Sequence, residues 1–180
     1  MGSAEGVTAA ERDGASAWGG TKAVLFIAVL FGVLVLDVGT KLLIQKHFVL
    51  YQQMDLIGEY VRLTYIHNPG AAFGIHLGEH SRGIFLALSV IALLALVGMY
   101  WFTPAGDHVR LVAISLICGG AIGNLIDRVR STSGVVDFID VGVGTIRWPV
   151  FNVADMAVTA GAVILALSLW KEEQRVERRP

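Results

Sequence analysis

The sequence is poor in charged residues and contains one cysteine among 180 residues. Charged side chains make up 16% of the chain, whereas soluble domains average roughly 25%, so an ordinary soluble domain is disfavoured. The formal net charge of −1 leaves no basic field for phosphates, which excludes nucleic acid as a partner. The lone Cys118 excludes an intrachain disulfide and a multi-cysteine metal site. Hydrophobic residues, in contrast, reach 54% of the chain, which indicates a membrane protein.

Four long apolar runs predict an integral membrane α-helical fold with four transmembrane helices. The predicted spans cover about 23–45, 83–102, 109–127 and 150–170. Each is close to the roughly 20 residues that a helix needs to cross a bilayer. The first run is similar to a signal-peptide core, but Asp37 and Lys41 follow where a cleavage site needs small residues. We therefore expect an uncleaved span and a single four-span domain over residues 23–170.

The distribution of lysine and arginine favours both termini in the cytoplasm. The basic residues are divided almost evenly between the two sides, and the cluster at 171–179, directly after Trp170, decides the orientation. Residues 1–22, rich in glycine, alanine and serine, are interpreted as a disordered cytoplasmic tail. Residues 171–180 are interpreted as a basic cytoplasmic tail.

The connections after the first and third spans are predicted to form a small extracytoplasmic β-sheet region. In the first connection, about 47–82, Val61, Leu63 and Tyr65 alternate with Arg62 and Thr64, which is typical of a strand. The second, about 129–148, is rich in β-branched residues and punctuated by glycine, which indicates short strands or a hairpin. We expect this sheet to lie over the ends of the helices.

Polar clusters at the ends of the spans are predicted to share one membrane face. They are Asp37 with Lys41 at the end of the first span, Asn124, Asp127 and Arg128 at the end of the third, and Asn152 with Asp155 at the start of the fourth. Because each run crosses the membrane once, crossing parity places all three clusters at the same face. Ionisable residues at membrane depth are costly and usually mark function. The sequence therefore predicts a polar site near one membrane surface.

Four aspartates lie in or between the last two spans: Asp127, Asp137, Asp140 and Asp155. Two carboxylates held close together share one proton, so that one activates water while the other polarises a carbonyl. This is aspartic peptidase chemistry. Asp155, near the start of a helix, and Asp137, in a strand-like segment, are the candidates for such a pair. Spacing alone supports equally well a role for Asp155 as a helix cap, and Asp140 is expected to be a solvated loop residue.

The other polar residues each have two interpretations. Asn68, at the head of the turn-forming run 68–74, either binds a substrate backbone or makes an Asx-turn. The cluster at the end of the third span occupies positions i, i+3 and i+4 of one helical face. Its guanidinium either orients carboxylates or anchors the helix at the membrane interface. The first-span pair, Asp37 and Lys41, is also compatible with a simple intrahelical ion pair.

Alternative functions are less well supported by the sequence. His76 to His80 match H-x-x-E-H, a zinc peptidase pattern, but Gly78 disfavours the helix that this pattern requires, so no metal site is predicted. An ion-coupled transporter would use Asp37, Arg128 and Asp155, yet transport sites usually lie near the membrane midplane. A noncatalytic scaffold leaves the convergence of polar residues unexplained.

Five strings resemble the bacterial signal peptidase II family, the lipoprotein signal peptidases. They are DVGTK (37–41), NPGAAFG (68–74), GGAIGNLIDR (119–128), VVDFID (135–140) and FNVAD (151–155), in the family's order on a four-span frame. The resemblance covers residues 23–170 and implies that Asp137 and Asp155 are the catalytic dyad. It implies substrate-positioning or site-supporting roles for Asn124, Arg128 and Asn152, and further motif positions at Asp37, Lys41, Asn68 and Asp127.

The resemblance also implies the reaction. Members of this family remove the signal peptide from diacylglyceryl-modified prolipoproteins, without a cofactor, by cutting on the N-terminal side of the lipobox cysteine. Globomycin-type peptides inhibit them. A diacylglyceryl group anchors the substrate at the membrane surface, among membrane lipids, which agrees with the depth that crossing parity assigns to the aspartates. We therefore expect an active site near the outer face of the bacterial cytoplasmic membrane.

Overall fold

The computed structural model describes residues 9–69 and 80–177. In chain order, the elements are α1 (Ala9–His47), β1 (Gln53–Ile57), β2 (Val61–Asn68), α2 (Ser81–Phe102), α3 (His108–Arg130), β3 (Val135–Val143), β4 (Ile146–Arg147) and α4 (Val153–Glu177). Segment 70–79, which holds most of the run beginning at Asn68 and most of the H-x-x-E-H match, lies outside the described residues.

Four helices are long and apolar enough to cross a membrane, as the sequence predicts. The candidate spans are Gly20–His47, Gly83–Phe102, His108–Arg130 and Val153–Arg175. The third helix, α3, is the most buried of the four, because it packs against α1, α2 and α4. The other three helices leave much of their apolar surface exposed, as expected for helices that contact lipid. The four-span membrane fold is confirmed.

The first helix begins well before its membrane span. Residues 9–22, interpreted from sequence as part of a disordered tail, are helical and continuous with the span. The segment begins with Ala9, Ala10, Glu11 and Arg12, which all have high helix propensity. Because the span already supplies a formed helix, extending it avoids the cost of nucleation. At the other end of the chain, α4 continues to Glu177 through most of the predicted basic tail.

The two connections form one four-stranded antiparallel sheet with the strand order β1-β2-β3-β4. This confirms the small sheet that the strand patterns predict. The sheet packs through Tyr65, Val136 and Phe138 against Ile44 near the end of α1, with Val153 of α4 at the margin of the same cluster. The sheet therefore lies at the helix ends that carry the polar clusters.

Small residues allow α3 and α4 to approach closely. A side chain at Gly120 would overlap the backbone carbonyl of Ala154, and one at Gly161 would meet Ile117 at 2.7 Å. Glycine and alanine at such positions let helix backbones pack in contact within a membrane. This contact brings the end of α3 beside the start of α4.

Candidate active site

Asp137 lies in the middle of the sheet, on β3, and is 1% exposed. Both of its carboxylate oxygens accept hydrogen bonds from side-chain amides. Asn152 Nδ2 donates to Oδ1 at 2.7 Å and Asn68 Nδ2 donates to Oδ2 at 2.9 Å. Asn68 is the last residue of β2, paired with Val135 of β3, so the antiparallel register places its amide beside the carboxylate. Asn68 therefore orients Asp137.

Asp155 lies in the first turn of α4 and is half-buried. Its Oδ2 accepts from the backbone N–H of Asn152 at 3.2 Å, while Asn152 Oδ1 accepts from the backbone N–H of Asp155 at 2.9 Å. This reciprocal pair is a capping box that starts the helix. The remaining oxygen, Oδ1, accepts from Asn124 Nδ2 at 2.8 Å. Asp155 is thus a helix cap and a member of the polar site at the same time.

Asn152 connects the two aspartates. Its side chain is fully buried and donates through Nδ2 to Asp137 while its Oδ1 accepts from the backbone of Asp155. The same Nδ2 lies 3.0 Å from Asn124 Oδ1. An amide side chain offers a donor and an acceptor on separate atoms, and Asn152 uses both. One asparagine therefore holds the sheet carboxylate and the helix carboxylate in a single network.

Burial, together with the negative charge of Asp155, raises the pKa of Asp137 from its ordinary value near 3.8 to about 7. The hydrogen bonds from Asn68 and Asn152 favour the ionised form and oppose this shift. At neutral pH, Asp137 therefore holds its proton for much of the time. A protonated carboxyl beside a second carboxylate is the arrangement that aspartic peptidase chemistry requires.

Lys41 connects α1 to the aspartate pair. It is 2% exposed, and its Nζ contacts Asp37 Oδ2 at 2.8 Å, Asp127 Oδ2 at 2.8 Å and Asn124 Oδ1 at 3.1 Å. Asp37 also accepts from the backbone N–H of Ala154 at 2.9 Å, so this α1 carboxylate caps the first turn of α4. Asp37 and Lys41 therefore form more than an intrahelical ion pair, because their contacts join α1 to α3 and α4.

Asp127 and Arg128, at the end of α3, contact different parts of the molecule. Asp127 turns toward α1, where it binds Lys41, and it also accepts from the backbone N–H of Val136 at 3.3 Å. Arg128 donates to the backbone carbonyl of Asn124 at 3.2 Å. Its guanidinium lies 5.8 Å from the ring centroid of Phe85 and within electrostatic range of both members of the aspartate pair. Arg128 is thus placed to balance the charge of the site.

The comparison with protein families agrees with this geometry. Residues 29–171 match the family model described as signal peptidase (SPase) II. The chain belongs to this family. The matched range contains the second and third membrane spans, most of the first and fourth, and every residue of the polar network, and it identifies the chain as a peptidase.

Individual members of the signal peptidase II family are similar over most of their length. The lipoprotein signal peptidase of Geobacter sulfurreducens is 42% identical over 153 residues, which are 84% of this chain and 94% of the relative. That of Moorella thermoacetica is 38% identical over 144 residues, covering 80% and 91%. A solved bacterial membrane enzyme superposes with a TM-score of 0.76 at 32% identity, covering 86% of this chain and 93% of that one.

The prediction for Asp140 is wrong. This residue was expected to be a solvated loop residue, yet it is 4% exposed and lies on β3. Its carboxylate accepts from Arg147 Nε and from Thr64 Oγ1, so partners from β4 and β2 compensate its burial. These partners differ from Asn68 and Asn152, which hold the carboxylate of Asp137.

The zinc alternative is not supported by the described part of the chain. Among residues 9–69 and 80–177, no group of three or more histidine, cysteine or acidic side chains has the geometry of a metal site. Of the H-x-x-E-H match, only His80 is described, and it directly precedes α2. The residues that the structure brings together are the carboxylates and amides.

Sequence reasoning identified the members of the site but missed some of their contacts. The bond from Ala154 to Asp37 spans 117 residues and involves a backbone group, so no side-chain motif signals it. The amide bridge through Asn152 was also not anticipated. The one signal available was local, because FNVAD places an asparagine three residues before an aspartate, which is typical of a helix start.

Proposed function

We propose that this chain is a membrane aspartic endopeptidase that removes the signal peptide from diacylglyceryl-modified prolipoproteins, cutting N-terminal to the lipobox cysteine. Family membership and relatives named lipoprotein signal peptidase support the substrate class. The observation that carries the proposal is that one residue, Asn152, donates to both carboxylates, through its side-chain Nδ2 to Asp137 and through its backbone N–H to Asp155. Asp137 and Asp155 are the proposed catalytic dyad.

The environments of the two carboxylates suggest their starting states. Asp137 is fully buried with a raised pKa, so it begins protonated. Asp155 is half-buried at the positive end of the α4 dipole and accepts from the side chain of Asn124 and the backbone of Asn152, so it is assigned the ionised starting state. Asp155 is then the general base and Asp137 the general acid of the first step.

The reaction follows from these roles. Asp155 removes a proton from water, and the water oxygen forms a bond to the scissile carbonyl carbon. Asp137 donates its proton to the carbonyl oxygen, which gives a neutral tetrahedral intermediate and an ionised Asp137. The intermediate collapses as Asp155 passes its proton to the amide nitrogen and the C–N bond breaks. One hydroxyl of the intermediate gives its proton to Asp137 as the C=O bond forms, so that a carboxylic acid and an amine leave. All protons and bonds balance, and no cofactor takes part.

The remaining polar residues support this pair. Asn68, Asn124 and Asn152 orient the carboxylates, and Arg128 offsets their charge. Asp37, Lys41 and Asp127 hold the ends of α1 and α3 against the start of α4. Of the residues that the family resemblance assigns to substrate binding or site support, Asp37, Lys41 and Asp127 are thus proposed to support the site.

The proposed location is the bacterial cytoplasmic membrane, with both termini in the cytoplasm and the active site near the outer face. The dyad lies where α4 begins and α3 ends, at the edge of the spans. A substrate held in the membrane by its diacylglyceryl group presents its scissile bond at this depth. Membrane lipids contact the exposed apolar side chains of α2 and α4, such as Leu94 and Val163.

The test is cleavage of a diacylglyceryl-modified lipobox peptide by the full chain purified in detergent. Wild type is expected to cut before the modified cysteine, resist chelators and be inhibited by globomycin. Asp137→Asn and Asp155→Asn are expected to lose at least about 1000-fold in kcat, because each removes one member of the acid–base pair. Asp55→Asn, an exposed sheet residue, is the matched control and is expected to retain activity.

Three outcomes would contradict the proposal. Near-normal turnover by a folded Asp137→Asn or Asp155→Asn variant would remove that residue from the dyad. Failure of folded wild type to cleave the lipid-modified peptide would reject the peptidase assignment for this substrate class. Loss of activity on chelation would instead support a metal-dependent mechanism.

A further inference from the structure

Lys41 is a buried lysine whose contacts extend beyond its own helix. Its ammonium group has acceptors from two helices, Asp37 on α1 and both Asp127 and Asn124 on α3. The two carboxylates already neutralise its charge. The additional contact, 3.1 Å to Asn124 Oδ1, is not needed to compensate the buried ammonium. Its consequence concerns the orientation of the Asn124 amide.

The orientation of the Asn124 amide matters because its two ends are chemically different. Its Oδ1 faces Lys41, and its Nδ2 donates to Asp155 Oδ1 at 2.8 Å. A half-turn of the amide would place its NH₂ group against the ammonium and its oxygen against the Asp155 carboxylate. Both contacts would then be repulsive, since donors would face donors and acceptors would face acceptors. Lys41 thus selects the orientation in which Asn124 donates to Asp155.

Asn152 cannot supply this orientation by itself. Its Nδ2 carries two hydrogens but lies within reach of three acceptors: Asp137 Oδ1 at 2.7 Å, Asn124 Oδ1 at 3.0 Å and the Val136 carbonyl at 3.2 Å. The shortest of these bonds goes to Asp137. Asn124 Oδ1 therefore shares a donor with the carboxylate and the sheet backbone, whereas the contact from Lys41 is charge-assisted and correspondingly stronger.

We propose that Lys41 is a positioning residue for the reaction, which acts through Asn124 to hold the carboxylate of Asp155 in its productive orientation. The relay runs from α1 through α3 to α4, from ammonium to amide to carboxylate. The Lys41 ammonium is buried among Asp37, Asp127 and Asn124, so its effect on Asp155 passes through Asn124 and Lys41 is a positioning residue. The inference rests on the proposed function, and it predicts which kinetic constant changes when Lys41 is replaced.

The first test compares Lys41→Met with Lys22→Met in the full chain purified in detergent. Lys22 is a matched control, because it is also an α1 lysine bonded to a second helix, donating to the carbonyls of Tyr100 at 2.6 Å and Thr103 at 2.7 Å. Its contacts lie at the opposite end of the membrane spans. Lys41→Met is expected to lower kcat on the lipid-modified peptide by about 100-fold with KM changed less than about 3-fold, while Lys22→Met leaves kcat unchanged.

The second test is a double-mutant cycle with Asn124→Ala. If Lys41 acts through Asn124, Lys41→Met lowers kcat much less in the Asn124→Ala background than in wild type. Lys22→Met is expected to combine additively with Asn124→Ala. A general loss of structure at Lys41 would give equal factors in both backgrounds, so additivity for Lys41→Met would overturn the inference.

A companion variant addresses folding, because Lys41→Met leaves buried acidic side chains without their cation. Asp37→Asn/Lys41→Met removes both charges of the buried pair and keeps an oxygen to accept from Ala154. It is expected to unfold at nearly the wild-type temperature and to show the same loss of kcat as Lys41→Met. Wild-type kcat in this folded variant would also overturn the inference. If wild type itself fails to cleave, the proposed function fails first.

Discussion

At the scale of single residues, the same side chain both caps a helix and belongs to the polar site. Asp155 starts α4 through its capping box with Asn152, and it also takes part in the carboxylate network. The helix that the cap nucleates thereby fixes the carboxylate of the proposed general base. Asn152 has a similar double task, since it caps the same helix and bridges to Asp137.

The substitution Asn152→Ser separates the two roles of Asn152, as the cap of α4 and as the hydrogen-bond donor to Asp137. Serine caps helices about as well as asparagine, so the free energy of unfolding is expected to change by only about 1 kcal/mol from capping. A serine hydroxyl is too short to cap Asp155 and also donate to Asp137. We expect kcat to fall at least about 10-fold in a folded protein, measured by peptide cleavage beside thermal unfolding. Unchanged kcat would show that the bridge has no part in turnover.

The raised pKa of Asp137 predicts a pH dependence of stability. Its pKa is about 7 in the folded protein, against roughly 3.9 in an unfolded chain, so the folded state binds more protons between these values. The contribution of Asp137 to the free energy of unfolding therefore falls by at most ~4 kcal/mol as pH rises from about 4 to about 7. Above pH 7 this contribution changes little further. Replacing Asp137 by asparagine removes this pH dependence of the free energy of unfolding.

The measurement is the unfolding temperature of Asp137→Asn and wild type across pH in detergent. The difference between variant and wild type is expected to shift in favour of the variant as pH rises to about 7 and then to level off. The sign of the slope is the prediction, because the amide also changes hydrogen bonds to Asn68 and Asn152 by an amount that does not vary with pH. A constant difference across this range would contradict the assignment of a raised pKa.

At the scale of elements, the sheet and the helices are joined by backbone contacts at the site. Phe151, just before α4, pairs with Ile139 of β3, which brings Asn152 beside Asp137. Gly134, before β3, has a φ of 99° and lies so close to the carbonyl of Asn68 that a side chain would overlap it. Glycine is required there because the positive φ and the close approach both exclude a side chain.

Gly123 on α3 provides a test of how tightly these elements meet. A side chain at this position would overlap the carboxylate of Asp37, which is held by Lys41 and by the backbone of Ala154. Gly123→Ala is expected to lower the free energy of unfolding by about 1–3 kcal/mol, measured by unfolding in detergent. Gly98→Ala on α2 is the control, because nothing lies within 4 Å of the added carbon. The control is expected to be neutral or slightly stabilising.

At the scale of the whole molecule, the site exists only because the helix ends meet at one membrane face. The end of α1, the end of α3 and the start of α4 each contribute polar side chains, and the sheet adds Asp137 and Asn68. An even number of crossings then places both ends of the described chain on the face opposite the site. The proposed orientation assigns the site to the outer face.

This orientation is testable with single cysteines in a bacterial membrane. After Cys118→Ala, which removes the buried thiol, Ser133→Cys lies in the α3–β3 connection and Glu173→Cys near the end of α4, both at exposed positions. A membrane-impermeant thiol reagent is expected to label Ser133→Cys in intact cells and Glu173→Cys only after permeabilisation. The reverse pattern would place the active site on the cytoplasmic side.

How far the sequence predicted the structure depended on the range of the interactions involved. The spans and the sheet were predictable, because apolar runs and strand alternation are local patterns. The buried environment of Asp140 was not, since Thr64 is 76 residues away along the chain. The helical segment 9–22 was missed because its composition suggests disorder, while its continuity with the span makes it helical.

By itself, the sequence determined the four membrane spans, the shared face of the polar clusters and the identity of the candidate residues. These follow from hydropathy, crossing parity and family motifs, which are all readable along one chain. Only the tertiary structure decided how the residues connect: that Asp37 caps α4, that Lys41 orients Asn124, and that Asn152 joins Asp137 to Asp155. Hydrogen bonds depend on distances within a few tenths of an ångström, and packing of distant elements sets those distances.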